Sequence, residues 1–459
     1  MAFLEGFRLS YDEPKREKLT VARERAILVK MLPADGGVGR GEDPLAELAR
    51  LTEAAGGRVV GTVVQRRSAI SASLYVGRGK AEEIRRLAAA RRAQTVVFDD
   101  DLSPAQVRNL EGIVGVKVLD RSELILDIFA TRAQTAEARL QVELAQLEYT
   151  YPRLRRMWTH LSRQAVGGIG LRGPGETQLE TDRRLVRKRI VDLKRRIRKI
   201  ERRHERVVQS RRNEFAASLV GYTNAGKSSL LNALTGDDAY VEDKLFATLD
   251  TRTRAWTLPF RMRVLLSDTV GFIRDLPHHL VTSFRATLEE AMGADLLLHV
   301  VDTSAPDVEA QIDAAGAVLD EIGCSDTPTL IVFNKTDLLA PDADLNVLRY
   351  RHPDAVFTSA ATGEGLGLLR DHVLNHLGGP VRELSICGPG GDGAWQAAVA
   401  RHAEDPRREF ADGQMVIHTS LPQHLVDYLL REYPQLEMTL HPLRAADESD
   451  GQEQRRPAS

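Results

Sequence analysis

The sequence predicts a multidomain α/β protein. A phosphate-loop domain with a mainly parallel sheet is preceded by an N-terminal α/β domain and a basic two-helix arm, and followed by a small α+β region. Three observations predict it. Short apolar runs alternate with helical patterns through the first 120 residues. Two long segments each carry one apolar seam among basic residues. Ser218 to Leu230 reads S-L-V-G-Y-T-N-A-G-K-S-S-L, an apolar run, a glycine loop and the opening of a helix.

The first unit is expected over residues 1–130. Ala26–Leu32, Val59–Val64, Thr95–Phe98 and Val116–Leu119 read as strands, and Pro44–Ala55 and Lys80–Arg91 as amphipathic helices. Ser103 followed by Pro104 opens another helix, with a serine N-cap and proline at the first helical position. Strands that alternate with helices imply a mainly parallel sheet. Val76-Gly77-Arg78-Gly79-Lys80 imitates a phosphate loop but lacks the four-residue gap and the following Ser or Thr. It reads as the turn that starts a helix, with contact to nucleic acid or a second nucleotide as the alternative.

The arm is expected over residues 131–213. Leu140, Leu144, Leu147, Tyr151 and Leu154 recur at 4-3-4-3 spacing, as do Val186, Ile190, Leu193, Ile197, Ile200, His204 and Val207 in a second segment. Single seams with charged flanks are what two packed antiparallel helices require. From Arg132 to Arg212 there are 22 Lys/Arg against 9 Asp/Glu; this net of +13 leaves −15 for the other 378 residues of a chain whose total is −2. Such an asymmetry points to a polyanion-binding surface, with Arg183, Arg195, Arg196, Arg202 and Arg203 as candidate RNA contacts. A solvated helix face is the alternative. Between the helices, Gly167 to Gln178 packs five glycines and a proline into nine residues, which cannot continue a helix. Gly168, Arg172 and Gly173 are expected at a tip that approaches RNA or another backbone closely.

The phosphate-loop domain is expected over 214–380. The spacing G-x-x-x-x-G-K-S runs from Gly221 to Ser228. Gly221 and Gly226 let the loop through Tyr222, Thr223, Asn224 and Ala225 curl so that consecutive amides face one phosphate chain, while the new helix points its positive end there. Lys227 is expected to reach the β- and γ-phosphates and Ser228 to bind magnesium, with Ser229 beside it. Val264–Asp268 is a buried-strand pattern ending in Asp268-Thr269-Val270-Gly271. Asp268 there can hold magnesium through water, and the Gly271 amide can approach the γ-phosphate. A second apolar strand ends in Asn334-Lys335-Thr336-Asp337. The Asp337 carboxylate can accept from guanine N1–H and its exocyclic amine, the Lys335 stem can cover the base, and Asn334 can meet the base edge or brace the loop. Ser359, Ala360 and Ala361 fit the loop whose amide meets guanine O6. Four elements in this order predict a GTP site.

A switch must supply magnesium with a hydroxyl only while the γ-phosphate is present. Phe246-Ala247-Thr248-Leu249-Asp250 holds the best candidate, Thr248, ahead of Thr251 and Thr253. Lys227, Thr248 and Gly271 are the groups expected at the reacting phosphate. Phe272 stands where many small GTPases have a water-orienting glutamine, so intrinsic hydrolysis is expected to be slow. Asn224 is compatible with a turn; equally, GTPases with asparagine there often recruit potassium.

Residues 381–443 hold a glycine-rich break at Gly388–Gly393, a strand at Gln414–His418, a helix at Gln423–Glu432 and a strand at Leu436–Leu440. The polar tail, 444–459, is expected to be disordered. Cys324 and Cys387 are too few for a disulfide framework and lack metal-site spacing. No apolar run approaches the roughly 18–20 residues of a membrane span, and the first residues do not open a signal peptide, so a cytoplasmic protein is expected; it is expected to act as a monomer.

Gly167 to Arg184, G-G-I-G-L-R-G-P-G-E-T-Q-L-E-T-D-R-R, beside F-A-T-L-D, D-T-V-G-F and N-K-T-D, resembles the HflX family of bacterial translation-associated GTPases. The resemblance covers about residues 20–380, and Arg252 replaces a threonine common in the family. It implies a Mg2+-dependent GTPase that binds the large ribosomal subunit and dissociates stalled or idle ribosomes under stress; some members also hydrolyse ATP and act on RNA. The rival classes are a ribosome-assembly or RNA-remodelling NTPase and a GTP-dependent binding module.

Overall fold

In a computed structural model of the chain, the described residues are 23–34, 43–157, 174–210, 214–236, 245–246, 251–273, 290–340, 345–411 and 413–441. The N-terminal unit alternates β1 (Arg25–Pro33), α1 (Ala46–Ala54), β2 (Arg58–Arg67), α2 (Arg78–Arg91), β3 (Thr95–Phe98), α3 (Pro104–Val114), β4 (Lys117–Leu119) and α4 (Arg121–Arg132). The sheet is wholly parallel, in the order β2-β1-β3-β4. Ala26 to Val29 are fully buried, as expected of a strand covered on both faces. α2 and α3 cover one face and α1 and α4 the other. Ser103 closes a capping box with Gln106 at the start of α3. Gly77 is the N-cap of α2, so the imitation phosphate loop is a helix start.

α4 escaped the sequence reading. Its buried residues include Leu124, Ile125, Leu126, Ile128 and Phe129, a nearly continuous run with no 3.6-residue stripe to detect. Burial on all sides arises because α4 lies between the sheet, the arm and the phosphate-loop domain.

α5 (Ala136–Met157) and α6 (Pro174–Ser210) form the arm. Leu144, Leu193 and Ile197 are buried between them, with Leu140, Leu147 and Ile190 alongside. The Arg183 guanidinium lies 5.4 Å from the Tyr151 ring centre, and farther along Arg189 grips Glu143 through two bonds of 2.7 and 2.8 Å. α6 therefore runs back along α5. The expected non-helical tip is shorter than read, because α6 begins at Pro174 and takes up Gly175 to Gln178. Proline suits the first helical turn, where its missing N–H has no intrahelical partner. Gly168, Arg172 and Gly173 lie outside the described residues, as does the side chain of His204.

The next sheet has the order β10-β9-β8-β5-β7-β6. It comprises β5 (Phe215–Val220), β6 (Arg252–Thr257), β7 (Arg263–Asp268), β8 (Leu296–Asp302), β9 (Thr329–Asn334) and β10 (Val356–Phe357). Only β6 runs antiparallel. Among the described residues, α7 (Lys227–Thr235), α8 (Val308–Ile322), α9 (Asn346–Arg351) and α10 (Leu366–Gly378) accompany this sheet.

The last region is richer than its sequence suggested. β11 (Val381–Pro389), α11 (Gly393–His402), β12 (Glu404–Ala411), β13 (Gln414–Pro422), α12 (Gln423–Glu432) and β14 (Glu437–His441) form an antiparallel sheet ordered β12-β13-β11-β14. Gly388 is a strand residue and Gly393 starts a helix, so the glycine-rich break shrinks to a short turn. Trp395, Val399 and Ile417 share one core with Trp256 and Leu266 of the preceding sheet and with Phe260 of the turn between β6 and β7.

Candidate functional site

The candidate site lies where β5, β7, β8 and β9 end at their carboxyl edges, the usual position for ligands on an open parallel sheet. Gly221 has φ +135°, and a Cβ there would lie 2.2 Å from the Val300 carbonyl oxygen. At Gly226, with φ +91°, it would lie 2.3 Å from Asn334 Nδ2. Both glycines are sterically obligatory. Gly226 caps α7, so the loop amides and the positive helix end face one place.

Lys227 lies inside this loop. Its Nζ donates to the carbonyl oxygens of Gly221 at 3.1 Å and Tyr222 at 2.9 Å. Burial pushes its pKa down to about 8, partly countered by the Asp268 carboxylate. Ser228 Oγ donates to Asp268 Oδ2 at 2.5 Å. Ser229 follows on the first turn of α7, and Ala225 is packed in the core.

The Asp268-to-Phe272 strip is fastened to the loop by backbone. Thr223 N donates to Phe272 O at 2.7 Å and Phe272 N to Gly221 O at 3.0 Å. Thr269 Oγ1 donates to Leu219 O at 2.7 Å. A Cβ on Gly271 would meet Thr223 Cα at 2.7 Å and Lys227 Nζ at 2.9 Å, so only glycine lets the two segments come this close. The Phe272 ring is buried with Val220 and Leu297.

The base end is assembled from two strand ends. Asn334 braces the loop: its Nδ2 donates to Ala225 O at 3.0 Å and its Oδ1 accepts from Ala360 N at 3.0 Å. Of the two roles open to Asn334 in the sequence, bracing is the one these contacts realise. Lys335 has φ +66° and pairs with Asp302 at 2.7 Å. Asp337 Oδ1 accepts from Ser359 Oγ at 2.6 Å, and Thr336 N donates to Thr358 O at 3.2 Å. Ala360 is half-buried beside this network and Ala361 is exposed.

Two residues expected at the nucleotide turn their side chains elsewhere. The Phe246 ring meets Phe129 of α4, with centres 4.7 Å apart and planes at 80°, and Val270 joins the same apolar cluster. Leu245 and Ile273 complete this seam between the N-terminal unit and the segments flanking the site. Apolar aromatics beside a ligand loop gain more from such burial than from facing water. Ala247, Thr248, Leu249 and Asp250 lie outside the described residues. Of the alternatives to Thr248, Thr253 shares a 2.9 Å hydrogen bond with Ser267, and Thr251 just precedes β6.

Sequence reasoning missed two further residues. His299 on β8 is buried under the loop, 3.3 Å from the Cβ position of Gly221. Burial, and then the charges of Lys227 and His352, push its pKa down to about 4. A lone histidine in an apolar strand carries no sequence signal. The other is Arg50 of α1, which lines one cavity with Tyr222, Thr223 and Asn224 although more than 170 residues separate them. On the arm, Arg195, Arg196 and Arg202 are exposed, Arg196 pairing with Asp192 at 3.0 Å, while Arg183 is half-buried on Tyr151. The Arg203 side chain lies outside the described residues. No described helix is long and apolar enough to cross a membrane.

This arrangement can cradle a polyphosphate at one end and read a purine edge at the other. Residues 42–130 match the family model "GTP-binding GTPase N-terminal", 132–211 "GTP-binding GTPase Middle Region" and 216–335 "50S ribosome-binding GTPase". GTPase HflX of Caldanaerobacter subterraneus is 49% identical over 328 residues, covering 70% of this chain and 75% of its own. GTPase HflX of Escherichia coli K12 is 43% identical over 422 residues, covering 90% and 97%. The solved structure of SsGBP with GDP is 27% identical, at a TM-score of 0.44 over 77% of this chain and 98% of that one. With a phosphate loop, an Asp268-to-Gly271 strip, a base-end network and relatives aligned along nearly its whole length, the chain belongs to the HflX family of GTPases.

Proposed function

We propose that the protein is a GTP-driven factor that docks on the large ribosomal subunit and dissociates stalled or idle ribosomes under stress. The observation that carries it is the arm. Its apolar seam is consumed between α5 and α6, which leaves Arg195, Arg196 and Arg202 exposed on a helix that leads within a few residues into β5 of the nucleotide domain. A base-rich rod rooted beside a nucleotide switch suits a machine that couples phosphate chemistry to an RNA surface. The match of residues 216–335 to the family model "50S ribosome-binding GTPase" supports the same partner. The reading places the protein in the cytoplasm, acting as a monomer.

At the site, GTP lies along the loop from Gly221 to Ser229. The loop amides and Lys227 hold the β- and γ-phosphates, and Gly271 leaves room for its own amide at the γ-phosphate. Asp337 accepts from guanine's N1–H and amine, the Lys335 stem covers the base, and the Ser359–Ala361 loop turns an amide toward O6. Magnesium fits the hard oxygen of Ser228 directly and that of Asp268, which Ser228 already touches, through water; Thr248 is the candidate second direct donor. When bound, the ion would neutralise negative charge on the phosphates. Phe272 cannot orient water, so hydrolysis alone is slow and the large subunit accelerates it. Asn224, at φ +64°, is the candidate site of potassium assistance.

Sucrose-gradient profiles of ribosomes with GTP, a non-hydrolysable analogue and GDP test this. Subunits accumulate with GTP and with the analogue but not with GDP. Unchanged profiles in all three would leave a GTP-dependent binding module.

A further inference from the structure

We propose that Arg50, on the N-terminal unit, is a phosphate-contacting arginine supplied in cis to the GTPase site. The proposal rests on the reading of the Gly221–Ser228 loop given above. Arg50 is exposed, and it lines a cavity of about 170 Å³ with Tyr222, Thr223 and Asn224 of the loop and the Asp302–Asp307 turn after β8. That space is about tenfold the ~15 Å³ needed to seat one water. The loop amides that follow Asn224 face the phosphate chain, so the side of the loop at Thr223 and Asn224 borders the terminal phosphoryl group.

Two features point to a ligand here. Thr223, only 6% exposed, lines this cavity, and its hydroxyl has no hydrogen-bond partner among the described residues. A buried hydroxyl without a partner is costly unless a ligand supplies one. The acids of the cavity are already engaged, Asp302 by Lys335 and Ser304 and Asp307 by Gln311. Arg50, by contrast, makes no ion pair or hydrogen bond among the described residues.

α1 is also held so that Arg50 reaches this point by construction. One turn earlier Glu47 is gripped by Arg121 at 2.6 Å, and Arg121 binds Asp99 at 2.7 Å. Leu48 and Leu51, on either side of Arg50, are fully buried and turn it outward. The whole unit is seated on the nucleotide domain through Phe129 against Phe246, with Val270 and Ile273 in the same core. The seam that places Arg50 is thus made of the segments that flank the γ-phosphate.

In hydrolysis the water oxygen bonds to the γ-phosphorus, and the bond to the β–γ bridging oxygen breaks with its electron pair left on GDP. Both of the water's protons leave with inorganic phosphate, one on the attacking oxygen and the other on a γ-oxygen. Negative charge on the bridging and γ-oxygens is what a guanidinium fork at Thr223 and Asn224 stabilises. With Phe272 in the water-orienting position, this charge is the help the chain itself can bring.

Full-length parent, Arg50→Ala and Arg50→Lys are compared by single-turnover GTP hydrolysis, by titration with fluorescent GDP and by GDP retention with aluminium fluoride. Arg50→Ala slows the chemical step at least about tenfold and loses the aluminium-fluoride complex, while GDP affinity stays within about twofold. Arg50→Lys keeps the charge without the fork and recovers part of the rate. Parental hydrolysis by Arg50→Ala overturns the proposal. So does a loss of rate matched by an equal loss of GDP affinity, which marks a structural role. A parent that binds neither GTP nor GDP would instead refute the site reading beneath it.

Discussion

Lys227 makes nucleotide affinity depend on pH, in a direction and size that follow from its surroundings. Its ammonium is buried against the carbonyls of Gly221 and Tyr222, and burial lowers its pKa to about 8 despite Asp268 nearby. In the free protein it is therefore about 90% protonated at pH 7 but only about 25% at pH 8.5. Phosphate oxygens favour the charged form, so the bound protein keeps the proton throughout. Binding at high pH must take up the missing proton. GDP affinity should fall about fourfold between pH 7 and 8.5, a change of about 0.8 kcal/mol. The nucleotide's own terminal phosphate titrates near pH 6, and its effect has the opposite sign. Calorimetric titration of GDP in buffers of different ionisation enthalpy reads both quantities. Proton uptake should rise from about 0.1 per nucleotide at pH 7 to about 0.75 at pH 8.5. Constant affinity with no proton uptake would show that Lys227 is fully charged in the free loop, and the argument from its burial would be wrong.

Asp337→Asn should weaken GTP binding by roughly 10- to 150-fold, the value of hydrogen bonds to a charged acceptor, and shift preference toward xanthosine nucleotides; unaltered GTP affinity would remove Asp337 from the site. Gly226→Ala should cost about 1–3 kcal/mol in thermal or denaturant unfolding, because its Cβ would lie 2.3 Å from Asn334 Nδ2 at a φ of +91°. It should abolish nucleotide binding as well, since Asn334 ties the loop to Ala360; a stable variant with parental affinity would contradict this. Reversing charge at Arg195, Arg196 and Arg202 should lower ribosome affinity and flatten its dependence on salt, with GTP affinity in the free protein unchanged. Binding like the parent's would make the basic excess a solvated face.

The sequence by itself determined the elements whose cause is local. The loop from Gly221 to Ser228 is legible because glycines are obligatory where the backbone meets Val300 O and the Asn334 amide, and that demand leaves a fixed spacing. The serine N-cap at Ser103 and the arm seam through Leu144, Leu193 and Ile197 are legible for the same reason, being set by neighbours three or four residues apart. Only the tertiary structure decided the rest. α4 showed no period because it is buried on every side, α11 declares itself only through a core shared with Trp256 and Phe260, and β12 is an exposed strand that exists by pairing with β13. Phe246 and Val270 turned from the nucleotide to α4 because a partner surface from another unit offered them burial. Arg50 and Thr223 share a cavity because two separately folded layers meet there, and His299 became a neutral histidine beside Lys227 through strand pairing of β8 with β5. Contacts of that kind depend on how units pack, and no window of sequence contains both partners.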